Sequence, residues 1–253
     1  MKKTLIAITT AAMLLTAVSC GEKKTDSSDT SSESWELNDE EIRELERKIA
    51  YDDVDLASKQ IEKYAVPEGW KEISVDGIII PVPSEVEELK ADPGSRRFGD
   101  KSKGLYIRNF KAVKWEGGGE FVAAAFPEIT AERVKQAFSD LGIEYDGTRL
   151  SLFKAALSLS KANKTAENAE SFEIAAIAKS NAFAITKEVL VSESDGHPIY
   201  IEVVDDLGLK NRKPSVNADF FVDENTVYTV GVNAETMDEV LQIATNLKLE
   251  EQG

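Results

Sequence analysis

Trp70-Lys71-Glu72-Ile73-Ser74-Val75-Asp76-Gly77-Ile78-Ile79-Ile80-Pro81-Val82-Pro83 is a pair of β-branched runs joined by Asp-Gly. A two-residue type I′ turn needs φ > 0 at both central positions, and Asp-Gly accepts that geometry. The stretch predicts an antiparallel hairpin, residues 70–75 against 78–82. Pro81 and Pro83 have no N–H for a ladder, so the second strand is expected at an edge or to end at a bulge. A second hairpin is predicted nearer the C-terminus, residues 220–222 and 227–232, around Asp223-Glu224-Asn225. Tyr228, Val230 and Val232 share one of its faces by the two-residue period.

Between the hairpins the apolar spacing alternates between strand and helix periods. Residues 105–110 and 199–204 read as strands. Residues 120–126 are apolar on both faces, which predicts a central strand covered on both sides. Thr130 caps a predicted helix carrying Ala131, Val134, Phe138 and Leu141. Residues 150–159 are apolar nearly all round and predict a buried helix. Thr165 is expected to start another, with Phe172, Ala175 and Ala176 facing in. Asn233 is expected to cap the last, which carries Met237, Val240, Leu241, Ala244 and Leu247. Asp92-Pro93-Gly94 marks a loop. Hairpins and helices in mixed order predict an α+β fold, a mainly antiparallel sheet covered by helices.

Ahead of residue 65 lie three shorter segments. Residues 39–64 are read as an amphipathic helical lead-in: Asn38 with Glu41 forms a capping box, Ile42, Leu45 and Ile49 fall on one face, and after a break at Asp52-Asp53 the helical stripe continues with Ala57, Ile61 and Tyr64. Residues 20–38, rich in Ser, Asp, Thr, Glu and Lys, are too polar to offset their ordering entropy and are expected to be a disordered tether; Trp35 within it is assigned no role. Residues 1–19 begin with the basic pair Lys2-Lys3 and continue with an apolar run, 5–15, broken only by Thr9 and Thr10. That run is too short to remain as a spanning helix. Residues 65–253 then form a single domain.

The run closes on Ala17-Val18-Ser19-Cys20, and the segment resembles a bacterial lipoprotein signal peptide. Ala17 departs from the family pattern, which favours Leu there. The resemblance implies cleavage before Cys20, attachment of diacylglycerol to its thiol, and a domain on the extracytoplasmic side of a membrane in the cell envelope. Two acyl chains would suffice as an anchor at about 0.8 kcal/mol per buried CH₂. Gly21, in place of Asp, leans away from inner-membrane retention. A second resemblance rests on Val66-Pro67-Glu68-Gly69-Trp70 with Ile78-Ile79-Ile80-Pro81-Val82-Pro83, and on the closing hairpin and helix. These are similar to the ends of PsbP-like extracytoplasmic domains, which implies an α-β-α sandwich and no particular chemistry.

The 253 residues carry 30 Lys and Arg against 46 Asp and Glu, a net charge of −16. Loss of Lys2 and Lys3 with the signal would leave −18. Such a balance disfavours nucleic acid, whose phosphates need neutralising, and disfavours adsorption on anionic lipid headgroups. With one cysteine, Cys20, no internal disulfide or thiolate zinc cluster is available.

The chemical candidates are few. His197 is the single histidine and sits in Asp195-Gly196-His197-Pro198; a turn-like, exposed setting is expected, and no Gly-x-Ser-x-Gly elbow accompanies it. Asp223-Glu224-Asn225 and Asp205-Asp206 are the densest oxygen clusters, but neither has calcium-loop spacing. Gly117-Gly118-Gly119 lacks the Lys-Ser/Thr tail of a phosphate loop and reads as a hairpin turn. Trp70, Trp115 and Tyr106 could line a sugar or peptide groove; Trp70 is expected in the core instead, and Trp115, near the glycine loop, is the aromatic offered as a contact patch. No catalytic, cofactor or metal residue is assigned, and lipid attachment is assigned to Cys20. The expected function is a non-enzymatic binding or assembly module of the envelope with an envelope protein or glycan as partner. The alternative is a hydrolase using two carboxylates on envelope polymer.

Overall fold

Helix α1, Asp39–Asp52, opens the computed structural model, which describes residues 39–92, 95–100, 105–110, 113–114, 126–205 and 213–250. The signal, Cys20 and the tether lie outside these residues. Ala50 and Val54 are buried in the main core, so α1 packs on the body. The predicted continuation of this helix does not form. Residues Ser58–Gln60 are instead strand β1, paired in parallel with residues 189–191. Ala57, Ile61 and Tyr64 satisfied the helical period, but Ile61 donates its N–H to the Val191 carbonyl (2.9 Å). An edge strand whose three side chains are all exposed leaves no alternation to read, and the docking partner overrides the local pattern.

The first hairpin forms as its turn dictates. β2, Lys71–Val75, pairs with β3, Ile78–Val82, across Asp76 (φ 52°) and Gly77 (φ 97°). Space at 77 is also tight: a Cβ there would lie 3.1 Å from the Tyr228 hydroxyl. β3 is the middle strand of its sheet and not an edge as expected, yet Pro81 falls where its chemistry allows. Val75 and Ile78 close the turn as a hydrogen-bonded pair, and by alternation the nitrogen of residue 81 points away from β2. The strand on that side pairs only with Ile78 and Ile79 and stops short of the proline.

Next come β4, Glu87–Asp92, β5, Ser95–Asp100, β6, Leu105–Phe110, and β7, Val113–Lys114. Of the predicted central strand 120–126, only Phe126 is described, and it is buried. α2, Ala131–Asp140, is capped by Thr130, whose hydroxyl accepts from the Arg133 N–H (3.3 Å). α3, Arg149–Ser158, buries Leu152, Phe153, Ala155 and Ala156. α4, Ala169–Ala182, starts four residues later than predicted. Thr165 and Asn168 instead exchange hydrogen bonds ahead of it, each side chain accepting the other's N–H (3.3 and 2.7 Å), so the threonine organises the approach to the helix.

β8, Thr186–Ser194, and β9, His197–Val204, form a hairpin, of which only the second strand and the turn before it were expected. Asp195 (φ 54°) and Gly196 (φ 81°) repeat the Asp-Gly chemistry of residues 76 and 77. β10, Ser215–Phe221, and β11, Thr226–Asn233, complete the predicted second hairpin with a longer first strand. Asn233 ends β11 and is not a cap. Thr236 caps α5, Met237–Ala244, through the Glu239 N–H (3.2 Å). The helix stops there, and Lys248–Leu249 becomes β12 against β3.

The large sheet runs β1-β8-β9-β10-β11-β6-β5-β4, with β7 also on β11, and the small sheet runs β12-β3-β2. All pairings except β1 with β8 are antiparallel, so the architecture is α+β as expected. One face of the large sheet packs under α1 to α4 around Phe138, Phe153, Phe172 and Phe221. The other face packs under the small sheet and α5 around Ile80, Ile199, Phe220 and Val240. Strict alternation divides the strands between the two cores: Ile199, Ile201 and Val203 belong to the second core, Tyr200 to the first.

Candidate functional site

On β9 and β10, alternation sends Glu202 and Asp219 to the helix-covered face, opposite Ile201, Val203, Ala218 and Phe220. Both are sealed, at 8% and 3% exposure. The Thr186 hydroxyl donates to Glu202 Oε2 (2.7 Å), and the Thr229 hydroxyl donates to Asp219 Oδ1. The two carboxyl groups are themselves in hydrogen-bond contact. Arg149, the first residue of α3, faces both acids, and its guanidinium lies 5.5 Å from the Phe153 ring centroid. The start of α3 is held there by the Leu150 N–H, which donates to the Glu224 carbonyl (3.0 Å) in the β10–β11 turn.

Burial pushes the Glu202 carboxyl well above the ordinary carboxylate range, and the neighbouring charge of Asp219 pushes it further. Thr186 and Arg149 pull the other way without matching them. Burial also lowers the Arg149 guanidinium from its usual value, opposed by Asp219 and Glu202. A proton on Glu202 leaves the pair with the one negative charge that Arg149 offsets. This is a polar insert that registers α3 on strands β8 to β11. The carboxyl pair of glycosidic chemistry stands about 5–9.5 Å apart across an open cleft; Glu202 and Asp219 touch, and they are enclosed.

A second buried charge is Lys179 on α4, 2% exposed. Its Nζ donates to the Val54 and Leu159 carbonyls, 2.7 Å each. Burial lowers its pKa to about 8, with Asp55 opposing. The amine ties the segment after α1 to the end of α3.

The residues singled out in the sequence are scattered. His197 opens β9, its Nδ1 3.2 Å from the Phe221 carbonyl and its ring 5.6 Å edge-on from Phe220; it is half-buried, not exposed as expected. Asp195 is the turn residue beside it. The Asp223 carboxylate accepts the N–H groups of Asn225 and Thr226 (both 2.8 Å), which closes the hairpin. Asp205 follows β9 and donates its N–H to the Ile185 carbonyl (2.8 Å). Trp70 is partly buried against the second core, as expected. Tyr106 occupies the β6 register position opposite Gly99 and Asn233. Asp206, Gly117-Gly118-Gly119, Trp115 and Cys20 lie outside the described residues. Among the described residues no group of three or more His, Cys, Asp or Glu is placed to hold a metal, and no helix is long and apolar enough to cross a membrane.

A depression of about 710 Å³ lies between α1, α2 and α4. Its floor is Phe126 and Phe172, both buried, and its rim is closed by the ion pairs Arg47–Glu173 (2.5 Å) and Arg133–Glu170 (2.7 Å). Tyr51 stands exposed at one end under Lys164, whose Nζ is 4.9 Å from the ring.

Glu202, Asp219 and Lys179 had a signal in the sequence. Each is an isolated charge in or at the end of an apolar run, as in Tyr200-Ile201-Glu202-Val203 and Ala176-Ile177-Ala178-Lys179, and such charges are buried only when paired or hydrogen-bonded; Arg149, after Asp146-Gly147-Thr148, carried no such signal. The net charge hid another feature. Residues 90–114 carry eight Lys and Arg against Asp92 and Asp100, a basic stretch within the acidic total.

Comparison with known proteins adds little. No family model matches the chain, and no curated protein matches it. Two solved structures are similar over 73% of the chain. One, from Bacteroides thetaiotaomicron VPI-5482, has 9% identity and a TM-score of 0.33, and half of its own length is covered. The other, the solution structure of cyanobacterial PsbP (CyanoP) from Synechocystis sp. PCC 6803, has 10% identity and a TM-score of 0.37, with 94% of its length covered. Likeness at this level leaves the fold to rest on the chain's own topology.

Proposed function

We propose that the chain is a lipoprotein of the bacterial cell envelope, anchored through diacylglycerol on Cys20, whose extracytoplasmic domain is a non-enzymatic binding or assembly module. The observation that carries this reading is the position of the single cysteine. It follows Ala17-Val18-Ser19 at the end of a short apolar run behind Lys2-Lys3, where a thiol is needed once and for lipid attachment. The disposition of the buried charges agrees with a scaffold role. Glu202, Asp219, Arg149 and Lys179 are committed to joining helices to strands or loops, and the described depression is rimmed by paired ions.

The test is crosslinking of the tagged full chain in cells, followed by membrane purification and mass spectrometry. A reproducible envelope partner that is lost on disrupting the domain surface, and retained with a surface-neutral variant, is the expected outcome. Turnover of an envelope polymer by the purified chain, abolished by one carboxylate substitution, would replace this reading with the hydrolase.

A further inference from the structure

We propose that the depression between α1, α2 and α4 is the interface of a symmetric pair of copies of this chain, in which Tyr51 of each copy enters the depression of the other. The inference goes beyond the binding-module reading and needs no lipid on Cys20. A two-fold interface is self-complementary, so one surface patch must carry both a projection and the recess that receives it. This face has both. The recess holds about 710 Å³, and Tyr51 on α1 stands at its end with 44% of its surface exposed. The other exposed large apolar side chains among the described residues are Val66 and Leu89, and neither lines this recess.

Tyr51 is oriented before any partner arrives. Its ring meets Phe172 edge-on at 6.3 Å, and the Lys161 and Lys164 ammonium groups lie 5.3 and 4.9 Å from its centroid. A cation so placed is attracted by the ring quadrupole. Lys161 is in turn held by Asp55 (3.1 Å). A side chain ordered in advance loses less freedom on docking. The floor of the recess, Phe126 and Phe172, is already closed, so it receives the ring without rearranging.

Charge supplies the second observation. At −16 overall, two copies repel one another on average. Four Lys or Arg against three Glu line the depression, so two copies can meet there without that repulsion. Arg47 with Glu173, and Arg133 with Glu170, cancel within one copy. Two charges of opposite sign are left over. Lys48 on α1 and the Glu128 carboxylate ahead of α2 make no ion pair or hydrogen bond among the described residues. A two-fold rotation sets the α1 wall of one copy against the α2 wall of the other. Lys48 of each copy then faces Glu128 of its partner, and the contact is made twice.

A small polar ligand suits the recess less well. Such sites aim several polar groups at one point, whereas both arginines here are committed to glutamates along the rim.

The experiment uses the chain from residue 20 with Cys20→Ser, which keeps every described element and leaves no thiol to crosslink copies. Sedimentation equilibrium over a concentration series is expected to show reversible exchange between monomer and dimer, weakening as salt rises. Tyr51→Ala is expected to raise the dimer dissociation constant about thirtyfold, the effect of a central aromatic anchor. Lys48→Glu and Glu128→Lys are each expected to raise it about tenfold, because each sets like charges against one another at both contacts. An equimolar mixture of these two variants is expected to recover the parent's association, since both contacts are then again between opposite charges. Unfolding midpoints close to the parent's show that each variant folds. A parent that stays monomeric at every concentration, a folded Tyr51→Ala chain that associates like the parent, or a mixture no tighter than its components overturns the proposal; the first result would give the depression to an occupant of another kind. Lipid on Cys20 is read separately from the mass of the unmodified chain, so loss of the anchor and loss of the pairing are told apart.

Discussion

Phe153→Ala is expected to lower the unfolding free energy by about 3–5 kcal/mol, the range for deleting a fully enclosed aromatic ring. Phe153 is 2% exposed. Its ring meets Phe183, Tyr200 and Phe221 edge-on, at centroid distances of 5.0, 5.4 and 5.3 Å. Such pairs contribute about 0.5–1.5 kcal/mol beyond their buried area. The ring therefore joins α3 to β9, β10 and the end of α4, and neighbours drawn from several elements cannot all close on the cavity. Denaturant unfolding should show a lower midpoint with an unchanged slope. A loss under about 1 kcal/mol would mean that α3 does not seat on the sheet as described.

Glu202→Gln is expected to make the protein more stable than the parent at neutral and alkaline pH and nearly equal to it in acid. The sign follows from linkage. Glu202 holds its proton to a higher pH when folded than when unfolded, so the favourable contribution is complete below the unfolded value, about 4.3, and is lost as pH rises through the folded value. Gln keeps an acceptor for Thr186 and offers an N–H to Asp219 without needing a proton from solvent. The readout is the difference between the two unfolding free energies across that range, because the other titrating groups are common to both chains. Parallel curves would show that Glu202 carries no displaced proton.

The hairpins at residues 71–82 and 215–233 announced themselves through turn chemistry, because φ > 0 restricts residue choice sharply. The same Asp-Gly dipeptide at 195 and 196 is less legible, because the first strand it joins, Thr186–Ser194, mixes charged and apolar residues. Helix α2 was legible from Thr130 onward, where the cap and the apolar stripe agree. The start of α4 was not, since Thr165 and Asn168 are equally good caps and tertiary packing chooses between them. Strand β1 left no trace because all three of its side chains face solvent. The buried charges fall between these cases: a charge inside an apolar run was visible, but that Glu202 meets Asp219 and Arg149 depends on a pairing of strands far apart in the chain.

The proposed lipid on Cys20 is the premise from which the proposed location, anchoring and role all proceed. The direct measurement is the intact mass and N-terminal peptide of the chain purified from bacterial membranes, for the parent and for Cys20→Ser. The account predicts a parent chain that begins at residue 20 and carries diacylglycerol mass on that residue, and a Cys20→Ser chain that lacks the lipid and leaves the membrane fraction. A parent chain with an unmodified Cys20, whether cleaved elsewhere or not at all, would contradict it.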